Sequence, residues 1–465
     1  MDDTLILVIS TLLKIGFALA LILTFAPVLI WAERRQSAMM QDRIGPVRAG
    51  IRIPDRFVPA SRSFLGLGSA VHLMVAGGCA LLALWLAARA GMSVYEGGDF
   101  IVPGGPGSDV DPLITWNAIL WIAVLFVPVN VGMSRLLGFT SRNFHGNISV
   151  LGLLHPLADA VKFMFKEDFV PPKADKLLFS IAPILTVVTA IATFAVIPFA
   201  DTLYLEWAGD VLPASGMIDG ARVPMQVASV NVGILFVFAI AGTGVVGAAI
   251  AGYASDNKYA LLGGLRAAGQ MVSYEVTLGL TIVPMFMIYN SLLLENMVQW
   301  QMENVWGIFV NPLAFILFFT CSIAETKRIP FDVPEGESEL VAGYFVEYSG
   351  MKFGMFFMGE FVEVIVLSAI ASTIFFGGFD VPFLTRSGFE MMGYVAEIPH
   401  WAVIVLQMAS FVVKVALFIW FQLMIRWTLP RFRYDQIMNL CWKIILPVSL
   451  LSIMVTGMIL LMVGG

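Results

Sequence analysis

Charge is what this sequence has least of. Asp, Glu, Lys and Arg make up 13% of its 465 residues, too few to coat a soluble domain of that length, while 59% are hydrophobic. Apolar runs of bilayer-crossing length recur along the chain, which excludes soluble enzyme folds. Cysteine is nearly absent as well. Cys79, Cys321 and Cys441 lie far apart in apolar stretches with no Cys-x-x-Cys pair. That rules out zinc and iron–sulfur sites built by this chain and reads all three as small core residues. The four histidines, His72, His145, His155 and His400, have no pairing suited to bis-histidine haem ligation. No P-loop or GxGxxG fingerprint occurs, so any redox carrier belongs to partners.

What is present is a series of apolar runs. About ten spans are expected, near 5–31, 66–89, 114–138, 176–200, 229–253, 266–292, 304–324, 355–377, 400–424 and 438–462, each long enough for a helix to cross the hydrocarbon. The fold class is therefore an all-α polytopic membrane protein, a helical bundle forming a single membrane domain over 1–465, with no internal repeat. The opening MDDTL is acidic and its apolar run is too long for a signal h-region, so it reads as a retained first span. Residues 148–165 are apolar but carry Asp159 and Lys162, the pattern of an amphipathic helix at the membrane interface. Basic residues set the orientation. With the N-terminus outside, nearly all of the 27 Lys and Arg fall in inner segments, and only Arg89, Arg222 and Arg386 fall in outer ones. Both termini are then expected on the outer side.

Three stretches point to chemistry. Residues 324–363 hold Glu325, Asp332, Glu335, Glu337, Glu339, Glu347, Glu360 and Glu363 against Lys327, Arg328 and Lys352, an acidic inner loop where a basic one is the rule. A solvated loop is the plain alternative for Glu335 and Glu337, but Gly, Pro, Tyr and Phe are also abundant there, as packing requires. Glu325 follows an apolar run directly, and Glu360 and Glu363 share a helical face inside the next one. Glu339 and Glu347 share a face if 338–348 is helical. Carboxylates at membrane depth are costly and mark proton or ion paths. Glu275 is a second marker, about 13 Å into a helix beyond Arg266. Its plain alternative is a core glutamate bonded to Ser273 or Tyr274. The third stretch is the arginine-rich segment 34–62, where positive-inside anchoring suffices for Arg48 to Arg62, while Glu33, Arg34 and Arg35 stand at the mouth of the first span.

Together ERR…QDRIGP, GLLHPLADAVKFMFKED, DNKYALLGGLRAAGQMVSYEV and AETKRIPFDVPEGESELVAGYFVEYSGMKFGMFFMGE resemble the signature segments of the quinone-site membrane subunit of respiratory complex I, the H subunit of bacteria, in the family's order. The resemblance implies a quinone-binding subunit of a proton-translocating NADH:quinone oxidoreductase in a bacterial inner membrane. Its substrate is ubiquinone or menaquinone. FMN and iron–sulfur clusters belong to partner subunits of the peripheral arm, and small and antiporter-like membrane subunits complete the pump; no metal, flavin or nucleic acid binds this chain. By the same resemblance Glu33, Arg34, Gln41, Arg43, Asp159 and Lys162 border the quinone tunnel. Glu275 and Glu325 begin a buried polar axis, and Arg328, Asp332, Glu335, Glu337, Glu339, Glu347 and Glu360 form an acidic funnel between the two.

The chain departs from the family pattern in two places. About ninety residues separate RIGP-x-R from the GLLHPLAD segment, and we expect 57–147 to be an inserted transmembrane hairpin, crossing at 66–89 and 114–138. His155 stands where glutamine is usual, and the 201–228 segment is longer than usual, as an outer-face elaboration would be. Two rival readings are a related membrane component of a membrane-bound hydrogenase or another ferredoxin- or F420-linked complex, and a stand-alone secondary transporter. The absence of an inverted repeat counts against the transporter.

Overall fold

A computed structural model describes residues 3–41, 51–52, 147–148, 155–205, 221–334, 336, 341–385, 388–391 and 394–464. They divide into two compact units, Met1–Arg43 with Pro156–Gly465, and Ile44–His155. Within the smaller unit, β1 (Ile51–Arg52) pairs antiparallel with β2 (Asn147–Ile148), Ile51 opposite Ile148. The expected hairpin at 57–147, with its spans 66–89 and 114–138, lies outside the described residues.

The larger unit is helical. α1 (Asp3–Met40) is followed by the short α2 (His155–Phe165), then α3 (Lys176–Thr193), α4 (Gly233–Ala254), α5 (Lys258–Tyr289) and α6 (Leu294–Glu303). After these come α7 (Pro312–Glu325), α8 (Gly350–Phe375), α9 (His400–Thr428) and α10 (Tyr434–Asn439), the last running through a π-helical turn, Leu440–Ile445, into α11 (Leu446–Gly464). Among the described residues, seven helical segments are long and apolar enough to cross a membrane, and α7 is a shorter apolar helix. All eight match expected spans, so the chain is a multi-pass membrane protein. Small antiparallel ribbons decorate the connections: β3 (Leu203–Leu205) with β4 (Ala221–Val223), and β5 (Leu384–Thr385), β6 (Gly388–Met391) and β7 (Tyr394–Glu397).

Local chemistry sets the boundaries. Asp175 caps α3 by accepting from the backbone N–H groups of Leu177 and Leu178, and Asn257 caps α5 by accepting from Tyr259. Asn311 caps α7 through the Ala314 N–H, with Pro312 at the first helical position where no N–H is missed. This start corrects the expected span 304–324. The segment before Asn311 is a separate α6 and a single helical turn at Gly307–Val310. α5 begins at Lys258, eight residues before the expected start at Arg266, because Lys258 and Arg266 depress hydropathy without breaking the helix. The amphipathic stretch 148–165 is helical over His155–Phe165. Residues 343–345 form a single 3-10 turn with turns on either side, so over the described part, 341–348, the chain is not the helix entertained for 338–348.

Helix packing rests on small residues. A Cβ at Gly252 of α4 would stand 2.7 Å from the Ala260 carbonyl and 3.0 Å from Gly264 of α5, so only glycine lets these backbones approach. α8 is the central helix, with every residue from Val364 to Phe375 buried. Phe315, Phe318 and Phe319 of α7 pack around Phe375, Phe376 and Phe418 in ring contacts of 5.0–6.0 Å. The C-terminal ends of α1, α7 and α9 meet at one end of this bundle, here called the inner end.

Candidate functional site

The inner end is organised by ion pairs between residues far apart in sequence. Glu33, near the end of α1, accepts a hydrogen bond from Arg426 of α9, and its other oxygen lies 3.5 Å from Arg328. One carboxylate thus serves two guanidinium groups that are both mostly buried. Arg328 also stacks on the Phe361 ring of α8, its guanidinium carbon 4.3 Å from the centroid. Arg34, one residue on, pairs with Asp159 of α2 at 2.7 Å. Arg328 and Arg426 line a mostly apolar cavity between α1, α7, α8 and α9, together with Leu29, Phe361 and Leu423. Gln41 and Lys162 are exposed at the same end. Arg43 lies outside the described residues.

The loop between α7 and α8 folds back onto the bundle. Arg431 donates to Asp332 at 2.8 Å, yet burial outweighs this partner and pushes the Asp332 carboxyl up to about 6. Glu347 accepts from Asn257 at 2.7 Å, which ties the loop to the start of α5. A Cβ at Gly263 of α5 would meet the backbone of Gly343 and Tyr344 at 2.7–2.8 Å, so the loop lies flush on that helix. Tyr344 is fully buried and donates its hydroxyl to Glu360 at 3.1 Å. Glu335, Glu337 and Glu339 lie outside the described residues.

Beyond the loop, Glu275, Glu325, Lys327 and Glu363 line one cavity between α3, α4, α5, α7 and α8, with the hydroxyls of Thr186, Thr189 and Thr193 on its wall. The space admits a few water molecules. Each threonine hydroxyl donates to a carbonyl of its own helix, leaving lone pairs toward the cavity. Lys327 holds a left-handed backbone (φ 54) just past the end of α7, which turns its amine inward to 3.9 Å from Glu363. Glu325 is 4% exposed, and its Oε2 has no hydrogen-bond partner. Glu275 lies against Gly242, where a Cβ would stand 2.7 Å from its Oε1, so the glycine makes room for the carboxylate. Ser273 donates instead to the Gly269 carbonyl and Tyr274 to the Ile437 carbonyl, so neither supports the plain reading of Glu275 as their bonded core partner.

The structure therefore brings Glu275 and Glu325 into one cavity, and Glu33, Arg328, Asp332 and Glu360 around its inner approach. Sequence reasoning missed the partners. Lys327, Arg426 and Arg431 read only as positive-inside residues, while Glu363 is singled out with Glu360 but has no place in the expected tunnel, funnel or axis. A signal existed for Glu363 in its helical spacing from Glu360. For the arginines none did, because their partners lie 393 and 99 residues away. Among the described residues no group of three His, Cys, Asp or Glu is arranged to hold a metal.

Comparison with known proteins gives a consistent answer. The family model described as NADH dehydrogenase matches residues 115–457. A NADH-quinone oxidoreductase H subunit of Geobacter sulfurreducens is 46% identical over 66% of this chain and 82% of its own length. Another H subunit of that organism is 44% identical over 71% and 90%, and one from Cytophaga hutchinsonii 42% over 67% and 84%. Long apolar helices, ion pairs gathered at one end and a carboxylate-lined cavity inside the bundle accord with these matches, and the chain belongs to the family of NADH-quinone oxidoreductase H subunits, as a membrane component of complex I.

Proposed function

We propose that this chain forms the membrane side of a quinone tunnel and couples quinone reduction to proton translocation. The observation that carries the reading is the set of titratable side chains leading from Glu33 and Arg34, past Arg328, Asp332 and Glu360, to the cavity of Glu325, Glu363 and Glu275, inside a bundle of apolar helices. Buried charge is kept at such cost only for use. Glu33, Arg34, Gln41, Arg43, Asp159 and Lys162 border the tunnel in this reading. Glu335, Glu337, Glu339 and Glu347 complete the acidic funnel with Arg328, Asp332 and Glu360. Electrons reaching ubiquinone or menaquinone from iron–sulfur and flavin carriers in the peripheral-arm subunits create charge in a low-dielectric space, and protons follow. Arg328 and Arg426 hold the inner mouth electropositive around Glu33. A change of charge there is felt by Asp332 and Glu360, and through Lys327 and Glu363 it reaches Glu325 and Glu275. Small and antiporter-like membrane subunits take up the signal. The chain lies in a bacterial inner membrane with both termini on the outer side.

Glu325→Gln and Glu275→Gln keep size and hydrogen bonding and remove the titratable charge. In reconstituted complex, both are expected to assemble, to keep NADH:ferricyanide activity, and to lose about a hundredfold in quinone-linked proton uptake, the lower end of what proton-transfer groups supply. Wild-type uptake in both would sink the proposal.

A further inference from the structure

The outer end of α8 holds a charged group that the proposed path does not use. Lys414 is a partly buried lysine midway along α9. Its ammonium donates three hydrogen bonds, to the carbonyls of Phe376 at 2.8 Å, Gly378 at 3.1 Å and Asp380 at 2.6 Å. An ammonium has three N–H groups, so the set is complete. These acceptors belong to the chain just past α8, which turns through Gly377 and Gly378, both left-handed (φ 70 and 51). The Trp306 ring faces the amine at 4.8 Å from its centroid, and the indole N–H donates to the Asp380 carboxylate at 2.8 Å. Ser410, one turn before Lys414, donates to the same Asp380 carbonyl. The neighbouring carbonyls are also taken: Thr373 by Gln301 of α6 at 2.9 Å and Ile374 by Tyr289 of α5 at 2.7 Å.

A helix C-terminus carries partial negative charge and carbonyls without intrahelical donors. Here a cation from a neighbouring helix supplies both the charge and the donors. The helix so held is the one that carries Glu360 and Glu363, and Glu363 lies about 20 Å along the axis from Phe376. We infer that Lys414 is a positioning residue for proton coupling: a tethered cation, seated in a carbonyl cage, that fixes the axial position of α8 and with it the placement of Glu363 beside Lys327 and Glu325. The inference rests on the proposed coupling role of those carboxylates. The ring under the ammonium and the three carbonyls around it form a seat of the kind that small alkylammonium ions also fit.

Lys414→Met, in the whole assembled complex, removes the ammonium and keeps the stem. Proton uptake per NADH oxidised is expected to fall by about tenfold, the equivalent of one charge-assisted hydrogen bond, with NADH:ferricyanide activity unchanged. Added methylammonium is expected to restore a measurable part of the coupling. Tetramethylammonium, which has no N–H to give the carbonyls, is expected to restore none. A helix end that was merely unstable would respond to neither ion. A second variant, Trp306→Leu, leaves the amine and its carbonyls and removes the ring with its N–H bond to the Asp380 carboxylate; a fall of several-fold is expected, and it decides the matter if Lys414→Met does not assemble. Wild-type coupling in Trp306→Leu, or an uncoupled Lys414→Met that methylammonium fails to restore, overturns the inference. Should Glu325→Gln also couple normally, the fault lies in the proposed path and not in Lys414 alone.

Discussion

The two ends of α8 are built on opposite plans. At the outer end, the backbone carbonyls of Thr373, Ile374, Phe376, Gly378 and Asp380 are met by donors from α5, α6 and α9, with the Ser372 hydroxyl the exception among nearby polar groups. At the inner end buried polar atoms go without hydrogen-bond partners: Glu325 Oε2, Asp332 Oδ1, Arg328 Nε and Nη2, and Arg426 Nε. Native interiors rarely leave such groups unmet, and where they do a ligand, a proton or water is the usual reason. The difference teaches that rigidity and responsiveness are separated along one helix. In the proposed mechanism, the carbonyl bonds at the outer end hold α8 in place while charge shifts at its inner end.

Three perturbations test this contrast. The largest effect is expected from Glu33→Gln, which strips the shared counter-ion from two mostly buried guanidinium groups. Breaking a buried pair on one side costs about 3–5 kcal/mol, and here two are broken at once. The yield of intact complex on native gels should drop sharply, and the complex that survives should show slowed quinone reduction beside normal ferricyanide activity. Full yield with unaltered quinone kinetics would mean that the inner end does not depend on this carboxylate.

A smaller effect is expected from Gly242→Ala. The added methyl occupies the place of the Glu275 carboxylate, which must swing away. Because the obstacle is the end of a flexible side chain, assembly should be preserved. Proton uptake per NADH should fall several-fold, short of the loss in Glu275→Gln. Unchanged uptake would separate Glu275 from the path.

The smallest concerns Asp332. Its folded-state carboxyl titrates at about 6, above the ordinary 3.8, so it favours the folded state when protonated. That contribution is present below about pH 4 and is lost as pH rises through 6, roughly 1 kcal/mol between pH 5 and pH 7. In Asp332→Asn the contribution has no pH dependence. The thermal midpoint of the purified complex at pH 5 and pH 7 should therefore differ less in the variant than in the wild type. An identical pH dependence in the two would remove Asp332 from the set of responsive carboxylates.

Much of this was legible in the sequence, for a physical reason. A bilayer-crossing helix must be apolar over about twenty residues, so α3, α4, α8, α9 and α11 announce themselves by composition. Glu275 and Glu325 stand out because the same rule makes a carboxylate within such a run an exception. Helix breaks were harder to read. The separation of α6 from α7 turns on Asn311 and Pro312, which hydropathy averages away. The π-helical turn at Leu440–Ile445 has no composition signature; it is set by packing on α5, where Cys441 donates to the Ser273 carbonyl and Trp442 to the Ser273 hydroxyl. Least legible were the pairings. An arginine near the inner end looks the same to a positive-inside rule whether it anchors lipid headgroups or, like Arg426, clasps a glutamate from the first helix.

That last pairing has a consequence for how the protein is made. Glu33 emerges early in synthesis, and Arg426 follows 393 residues later. At about 5–20 residues per second, roughly 20 to 80 seconds pass before the second arginine exists. Throughout that interval Glu33, at the end of α1, is in the membrane without its Arg426 partner. The inner mouth is therefore among the last parts of the protein to form, and any factor that shelters a nascent carboxylate at the translocon acts before the site it protects has been translated.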